Sequence, residues 1–404
     1  MTPAPGARVS ARQSTLRSTN LAVAAAEAVS SPTPLSRAGI AAATGMTRST
    51  ASRLVDDLVA ARVLTELSPV AGSGPGRPAI PLSAARGSFV ALGLEVNVSQ
   101  LAVRAVDLSG EVLAERITHD DLAGSDPGRV LERLAALIRS VAAVSAVRAA
   151  RLVGAALALP GLVADGTLLR APNLGWDGAR PGDVLSPVLE ELGSRLDLAN
   201  EAELGALSVS RRRPGAPGPL RSFLYLSGEN GIGAGIVDDG RLVSGAHGFA
   251  GEIGHVLVDP NGPECGCGNR GCLERFAGRR VILAAAGLPE DAEPSVLVER
   301  WERGDDHARA AVTSAAQALG IAVGAALNII DVPAVVLGGH LGPLTEVLRP
   351  ELEAALERRV LASRWSHPTI AAAPQDEAPG ATGAAWSVLE RVISSPADWI
   401  DPRD

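Results

Sequence analysis

All three cysteines of this 404-residue chain lie in one short segment, which also carries a histidine. The four side chains can each ligate a metal, and they have the spacing H-x9-C-x-C-x4-C: His255, Cys265, Cys267 and Cys272. One imidazole and three thiolates suit a closed tetrahedral zinc site, and the intervening glycines let the backbone wrap an ion. Three buried cysteines beside a surface histidine are the alternative. The spacing predicts one structural Zn²⁺ per chain, which would fix the loop that carries Glu252 and Glu274.

Length and composition narrow the class of protein. A chain of 404 residues has room for two or three domains, each with its own core. Although 46% of the residues are hydrophobic, the sequence has no uncharged run of about 18 apolar residues, and its polar N-terminus lacks an apolar signal core. Three cysteines fit no disulfide framework, because their number is odd. We therefore expect a cytoplasmic protein without membrane contact.

Charge is divided unevenly along the chain. Residues 1–86 contain nine arginines and four acidic residues, whereas the whole chain carries a net charge of −8. The remainder is therefore strongly acidic. A small basic module on an acidic body is expected when one domain binds a polyanion and the other binds something else.

The basic module has the pattern of a helix-turn-helix with a wing. Leu16 to Val29 and Leu35 to Ala43 read as helices, Gly45 stands at a turn, and Thr47 can cap a third helix. The exposed face of that third helix would carry the hydroxyls and guanidinium groups that contact DNA: Thr47, Arg48, Ser49, Thr50, Ser52 and Arg53. A three-helix dimerisation or docking domain is the alternative. We predict DNA binding, because helix spacing, turn and charge coincide.

The wing is predicted next. Val63 to Leu67 reads as a wing strand, and the stretch from Gly72 to Pro78 reads as its loop. Arg77 in that loop is placed to reach a minor groove. The winged helix-turn-helix domain, with wing and linker, would then occupy residues 1–86.

Beyond residue 86 the pattern changes to alternating strands and helices, which predicts an α/β body of two lobes. Strands are expected at Phe89 to Leu94 and Gln100 to Asp107, and a long alanine-rich helix at about Ala308 to Ile330. We place the first lobe at residues 87–195 and the second at 196–404, with the C-terminal helix returning to the first lobe. Ligands in such proteins usually bind in the cleft between lobes.

Three segments carry a resemblance to a known family: GIGAGIVDDGRLVSGAHGFAGEIGH, the CxC-x4-C run, and LGIAVGAALNIIDVPAVVLGG. Together they resemble the ROK family, which joins sugar kinases and sugar-responsive repressors on a two-lobed, actin-like ATPase fold. The resemblance covers roughly residues 88 to 395. A winged helix in front of that body is the repressor architecture of the family, similar to the xylose and N-acetylglucosamine repressors.

Two departures from the family's kinases imply a regulator without kinase activity. Where the kinases have an Asp-x-Gly-x-Thr phosphate loop, this chain has Glu95-Val96-Asn97-Val98-Ser99, with the side chain of Asn97 at the glycine position and that of Val98 beside it. Where they have an Asn-Asp pair that supplies the catalytic base, it has Asn200-Glu201, which moves the carboxylate by about one methylene. A sugar kinase remains the alternative function.

The resemblance also implies the sugar-binding residues: Gly161, Asn200, Glu201, Glu252, His255 and Glu274. Carboxylates and amides suit a hydroxyl-rich ligand, because each hydroxyl can both donate and accept a hydrogen bond. An unphosphorylated sugar is favoured, since an Asn-Glu pair here resembles the xylose-responsive branch. Trp176 would either face the sugar ring or belong to the core, and the two acidic residues of the loop could instead be solvated surface groups.

A single winged helix buries little DNA surface, so we expect a homodimer on an inverted repeat, its half-sites about one helical turn apart. We also expect the linker at about residues 68–86 to carry the effect of sugar binding to the recognition helices.

Overall fold

The N-terminal domain is a winged helix-turn-helix, as predicted. In this computed structural model, residues 5–69 and 79–400 are described, with side chains from residue 15 onward. The domain consists of three helices and a two-stranded antiparallel wing: α1 (Pro5–Ser30), α2 (Arg37–Thr44), α3 (Arg48–Ala60), β1 (Leu64–Glu66) and β2 (Leu82–Ala84). Ser36 and Thr47 cap α2 and α3 through their hydroxyls, and Gly45 ends α2 with φ of 70°. The predicted wing loop and Arg77 lie outside the described residues.

The first lobe is built on a five-stranded sheet in the order β10-β6-β3-β4-β5. Its elements are β3 (Phe89–Val96), β4 (Gln100–Asp107), β5 (Val112–His119), α4 (Pro127–Ala142), α5 (Ser145–Ala149), β6 (Arg151–Leu159), β7 (Leu162–Ala164), β8 (Thr167–Ala171), β9 (Trp176–Ala179), α6 (Gly182–Glu191) and β10 (Leu196–Asn200). β3 is antiparallel to β4 and parallel to β6, and β7, β8 and β9 form a separate small sheet.

One predicted boundary is wrong. The second lobe was expected to begin at residue 196, but the strand Leu196–Asn200 pairs in parallel with β6 and forms an edge of the first sheet. The change of lobe therefore falls after residue 200 and not after residue 195. The sequence of a short strand can indicate that it is extended, but tertiary packing decides with which strand it pairs.

The second lobe contains the other five-stranded sheet, in the order β15-β14-β13-β16-β17. Its elements are α7 (Glu201–Ser210), β11 (Arg211–Arg213), β12 (Ala216–Pro217), β13 (Phe223–Gly228), β14 (Ile232–Asp238), β15 (Arg241–Leu242), α8 (Glu274–Ala277), α9 (Arg279–Ala285), α10 (Pro294–Glu302), α11 (Asp306–Ile330), β16 (Ala334–Leu337), α12 (Thr345–Arg359) and β17 (Thr369–Ala372). By length and composition α11 could cross a membrane, but 61% of its most apolar window is buried inside the protein. It is the central helix of this lobe's core.

The last helix, α13 (Pro379–Ser394), ties the domains together. It packs on β3 and β6 of the first lobe and against α7. The approach to α7 is so close that a Cβ added at Gly383 would lie 1.8 Å from the carbonyl oxygen of Leu204. Buried side chains of α1, α7 and α13 belong to one hydrophobic cluster. The winged helix domain is thus packed on the body through α1.

Candidate functional site

A cleft between the lobes brings together all six residues proposed as sugar ligands. It contains about 630 Å³ of space between the protein atoms, a volume that includes open solvent. Each residue lies at an end of an element or in a loop beside the cleft: Gly161 after β6, Asn200 at the end of β10, Glu201 at the start of α7, Glu252 just before a short 3-10 helix, His255 at the end of that helix, and Glu274 at the start of α8.

Asn200 joins two walls of this cleft. Its Oδ1 accepts hydrogen bonds from the backbone N–H of Ala202 (2.7 Å) and of Glu203 (3.3 Å), which makes it the N-cap of α7. Its Nδ2 donates to the carbonyl oxygen of Gly161 at 2.9 Å. The side chain therefore fixes the Pro160-Gly161 turn against the helix that carries Glu201.

Glu201 lies among other carboxylates. Burial in the cleft, and then the charges of Glu95 and Glu229, raise the pKa of its carboxyl well above the ordinary value. Glu95 is 1% exposed, and its pKa rises to about 7, mainly because of burial. The carboxyl of Glu95 accepts hydrogen bonds from the backbone N–H of Ala381, in the first turn of α13, and from Gln100.

The four predicted metal ligands form one cluster, in which the ligand atoms all lie within 4.8 Å of one another. The Sγ atoms of Cys267 and Cys272 are 3.7 Å apart, and Cys265 Sγ lies 3.7 Å from His255 Nδ1. A tetrahedral zinc with Zn–S bonds of about 2.3 Å requires S···S separations of about 3.8 Å. The spacing of these side chains therefore fits a tetrahedral ion.

Two carboxylates connect this cluster to the cleft. Glu274 is 6% exposed, and its Oε1 lies 2.8 Å from Cys265 Sγ and 3.7 Å from His255 Nδ1. The other ring nitrogen of His255, Nε2, faces Glu252 Oε2 at 3.8 Å. The imidazole thus faces the cysteines of the candidate metal site with Nδ1 and the cleft with Nε2.

The segment that contains Asn173 and Trp176 divides between cleft and core. Trp176 is 2% exposed and donates from its indole N–H to the carbonyl oxygen of Ser125 at 2.9 Å, so it is a core residue. Asn173 lines the cleft beside Gly231, where an added Cβ would lie 2.2 Å from Asn173 Nδ2. The residues between Gly228 and Ile232 form a tight hairpin that joins β13 to β14, with Gly228 paired to Ile232.

The predicted sugar ligands did not include three polar residues of the cleft wall: Asn173, Ser227 and Glu229. A buried strand followed by a polar residue at its end was the signal available for Ser227 and Glu229, which end β13 and begin the hairpin.

In the loop between β3 and β4, the side chain of Asn97 accepts the backbone hydrogen bonds of its own loop. Its Oδ1 accepts hydrogen bonds from the backbone N–H of Ser99 and of Gln100, both at 2.9 Å. Its Nδ2 donates to Glu95 Oε1 at 2.9 Å. Backbone N–H groups of such turns are the donors that hold phosphate in nucleotide sites. Here they are bonded to a side chain of the same loop.

Apart from Arg77, which lies outside the described residues, the candidate DNA contacts lie at the N-cap and in the first turns of α3. Thr47, Arg48, Ser49 and Arg53 are exposed, and Thr50 and Ser52 are half-buried at the start of α3. Later in α3, Asp56 and Asp57 form ion pairs with Arg37 and Arg17. The basic and hydroxyl side chains therefore stand at the N-terminal half of the helix, which is the half that a recognition helix presents to bases.

A profile of the ROK family matches residues 91–391, and the chain therefore belongs to the ROK family. It is 27% identical over 379 residues to a putative xylose repressor from a Caldicellulosiruptor species, spanning 90% of this chain and 93% of that protein. It is 29% identical to the N-acetylmannosamine kinase of Escherichia fergusonii, spanning 68% of this chain and 94% of the kinase. A solved ROK family transcriptional regulator, a homologue of the E. coli Mlc protein, superposes over 96% of this chain and 99% of its own, with a TM-score of 0.77 at 23% identity.

Proposed function

We propose that this protein is a cytoplasmic, sugar-responsive DNA-binding repressor of carbohydrate-utilisation genes. The observation that carries the proposal is that the polar cleft and the winged helix domain belong to one packed structure. The helix α7 begins at the polar cleft between the lobes. The winged helix domain packs on α13, which is the neighbour of α7. The xylose repressor spans both parts, whereas the kinase match leaves out about a third of this chain.

For DNA, α3 is proposed as the recognition helix. Arg48 and Arg53 would contact phosphates or guanine edges, and the short hydroxyls beside them would add contacts to the backbone. The protein would bind an inverted repeat as a homodimer, because two half-sites supply the affinity that one small domain lacks.

For the effector, the cleft supplies both acceptors and donors. Glu201, Glu252 and Glu274 are carboxylates, Asn200 fixes the Gly161 turn, and His255 offers its second ring nitrogen. This inventory suits the hydroxyls of an unphosphorylated sugar.

For the metal, Zn²⁺ is proposed as a structural ion held by the one histidine and three cysteines. All four tetrahedral positions are then filled by protein, which leaves none for a reacting water. The ion would hold the loop from Glu252 to Glu274 as one side of the cleft. His255, Cys265, Cys267 and Cys272 supply ligands of the right type and spacing for it.

Kinase activity is not proposed, although a kinase is among the relatives. Phosphoryl transfer requires a turn whose backbone N–H groups hold the nucleotide's phosphates. The N–H groups of Ser99 and Gln100 are already bonded to Asn97, and Glu201 stands where the kinases have aspartate.

Coupling is proposed to pass through packed helices. Sugar contacts at the start of α7 would shift that helix against α13, and α13 carries α1 of the winged helix domain. The Nη2 of Arg213, in the hairpin that follows α7, donates to the carbonyl oxygen of Val29 in the last turn of α1 at 2.9 Å. This route complements the linker, part of which lies outside the described residues.

The test uses the purified protein in three assays. A thermal-shift screen against pentoses, hexoses, their phosphates and disaccharides identifies the effector, because a ligand of the native state raises the melting temperature. Selection from random DNA, followed by fluorescence anisotropy with and without that sugar, measures operator binding and its release. Incubation with ATP, magnesium and the same sugars should yield no sugar phosphate. Turnover in that assay would establish the kinase instead, and failure to select any sequence would end the DNA-binding proposal.

A further inference from the structure

A second cavity lies where the winged helix domain meets the body, and we call it the junction pocket. Its walls come from the C-terminal part of α1, the β11–β12 hairpin, the loop before β13, the β14–β15 turn and the second half of α13. It contains about 1010 Å³ of space between the protein atoms, a volume that includes open solvent. Among the described residues, none that lines this pocket also lines the cleft between the lobes.

The charge of the junction pocket is opposite to that of the cleft. The cleft lining contains four glutamates and, within the described part of the chain, no arginine. The charged residues that line the junction pocket are four arginines and two acidic residues: Arg211, Arg221, Arg241, Arg391, Asp239 and Glu390. Arg391 has a further carboxylate partner, Asp197, outside the lining. In a chain of net charge −8, such a concentration of guanidinium groups favours an anionic ligand.

The turn between β14 and β15 lets two of these arginines converge. Asp239 and Gly240, the two residues between the paired strands, have φ of 43° and 74°, as a type I′ hairpin turn requires. A Cβ added at Gly240 would lie 3.6 Å from Arg221 Cζ and 3.7 Å from Arg211 Nη1. The two guanidinium groups therefore approach the same point, and Arg241 follows that glycine directly in the chain.

These arginines have more donors than the neighbouring carboxylates use. Arg211 donates from Nε to Glu390 at 2.6 Å. Arg221 donates from Nε and Nη2 to Asp239 Oδ1, at 3.0 and 2.7 Å. Among the described residues, Arg211 Nη2 and Arg221 Nη1 have no hydrogen-bond partner, and Arg241 makes neither a hydrogen bond nor an ion pair. Free guanidinium edges of this kind bind phosphate oxygens, which can accept several N–H bonds at once.

The pocket is also built on a tightly packed junction. A Cβ added at Gly215, in the β11–β12 hairpin, would lie 2.5 Å from Ile393 Cδ1 and 3.4 Å from Val29 Cγ1. The hairpin therefore packs closely on α13 and on α1 together. Arg211 is half-buried in this junction, with 15% of its side chain exposed, so solvent screens its charge less than that of a surface arginine.

We propose that the junction pocket binds a small molecule that carries phosphate groups, with Arg211, Arg221 and Arg241 as donors to the phosphate oxygens. The ligand would bridge the second lobe and α13 beside the wall formed by α1. It would therefore favour one arrangement of the winged helix domain on the body and act as a second effector, apart from the sugar in the cleft. This regulatory step rests on the proposed function, whereas the binding site itself does not.

Calorimetric titration of the full-length protein with pyrophosphate, at constant ionic strength, tests the site, because this probe supplies phosphate oxygens without a sugar. Wild type should bind one equivalent per chain, and Arg221→Gln and Arg241→Gln should each weaken binding at least tenfold. Arg303→Gln is the matched control. It removes the same charge at the end of α10 of the same lobe, where the side chain is 76% exposed. Equal melting temperatures would show that all three variants are folded.

Three results would overturn the proposal: no binding of pyrophosphate by wild type, an equal loss of affinity in the control and the pocket variants, or a loss in Glu252→Ala with none in Arg241→Gln, which would place the anion in the cleft. A hexose bisphosphate titrated in parallel distinguishes an organic phosphate ester from inorganic pyrophosphate. Tighter binding of either probe to wild type than to Arg241→Gln supports the site.

Operator affinity is measured separately by fluorescence anisotropy. If pyrophosphate binds the pocket and wild type selects no DNA, the anion site stands while the repressor proposal fails. If both hold, saturating pyrophosphate should change operator affinity about fivefold or more in wild type and leave Arg241→Gln unaffected. Unchanged operator affinity in wild type would refute the regulatory step. Weaker operator binding by Arg241→Gln without any phosphate ligand would assign the arginine to DNA and overturn the proposal.

Discussion

Replacement of Asn200 separates the two structural roles of this residue. Asn200→Ala removes the N-cap of α7, which is worth about 1 kcal/mol, and the bond to the Gly161 carbonyl, which is worth about 1 kcal/mol more. Asn200→Ser keeps a capping oxygen but loses the reach to Gly161, so about half of that loss is expected. Asn200→Asp keeps the cap and places a carboxylate oxygen against the carbonyl oxygen that Nδ2 now meets at 2.9 Å.

Urea unfolding without sugar measures the loss of stability. Calorimetric titration with the sugar found in the thermal-shift screen measures the loss of sugar affinity. All three variants should bind that sugar at least tenfold more weakly, because the Gly161 turn is no longer held. Ser36→Ala is the control, since it removes the cap of α2, far from the cleft, and should lower stability without changing sugar affinity. If Asn200→Ser and Asn200→Asp bound sugar like wild type, the anchoring role assigned to Asn200 would be refuted.

Four further outcomes are expected. Cys265→Ser should lose stoichiometric zinc by elemental analysis and lower the melting temperature; protein purified without chelator that holds no zinc would contradict the site. Glu95 has a folded-state pKa of about 7, above its ordinary 4.5, so the native state binds the extra proton. Stability should therefore fall by up to roughly 3 kcal/mol as pH rises from 4.5 to 7, and Glu95→Gln should flatten that decline in urea titrations at several pH values. Glu252→Ala should keep operator binding but abolish release by sugar in fluorescence anisotropy; normal release would place the effector elsewhere. Arg48→Ala and Arg53→Ala should weaken operator binding and reduce its salt dependence, with sugar affinity unchanged; a loss of sugar binding would point to misfolding.

The sequence predicted those features that depend on local pattern. The spacing of the cysteines and the histidine predicted a group of four ligands, and the fold brings them together. Four ligands in one short segment need only a few turns of the chain to meet. Capping by Thr47 and the turn at Gly45 identified the helix-turn-helix for the same reason. Resemblance to the family then supplied long-range information, and it chose six residues from separate elements that line one cleft.

Features that depend on tertiary packing were not predictable in this way. The strand at Leu196–Asn200 looks the same whichever sheet it joins. Trp176 could have faced the cleft or the core, and only the position of Ser125 decides that its indole N–H is satisfied inside. Asn97 was recognised as an obstacle to phosphate, but its role as the acceptor for the loop's own N–H groups required coordinates.

The packing of α7, α13 and α1 is relevant to the free energy that coupling between sugar and DNA binding requires. A coupling of about 1 to 3 kcal/mol alters DNA affinity roughly 5- to 150-fold. That is the free energy of one or two buried contacts, and α7, α13 and α1 share a cluster with many of them. Because a well-packed interface shifts between discrete arrangements and does not deform smoothly, a sugar that moves the start of α7 by a small distance can favour one arrangement of α13 and α1. In the proposed coupling, α1, which packs on the body, would transmit such a displacement to the recognition helix.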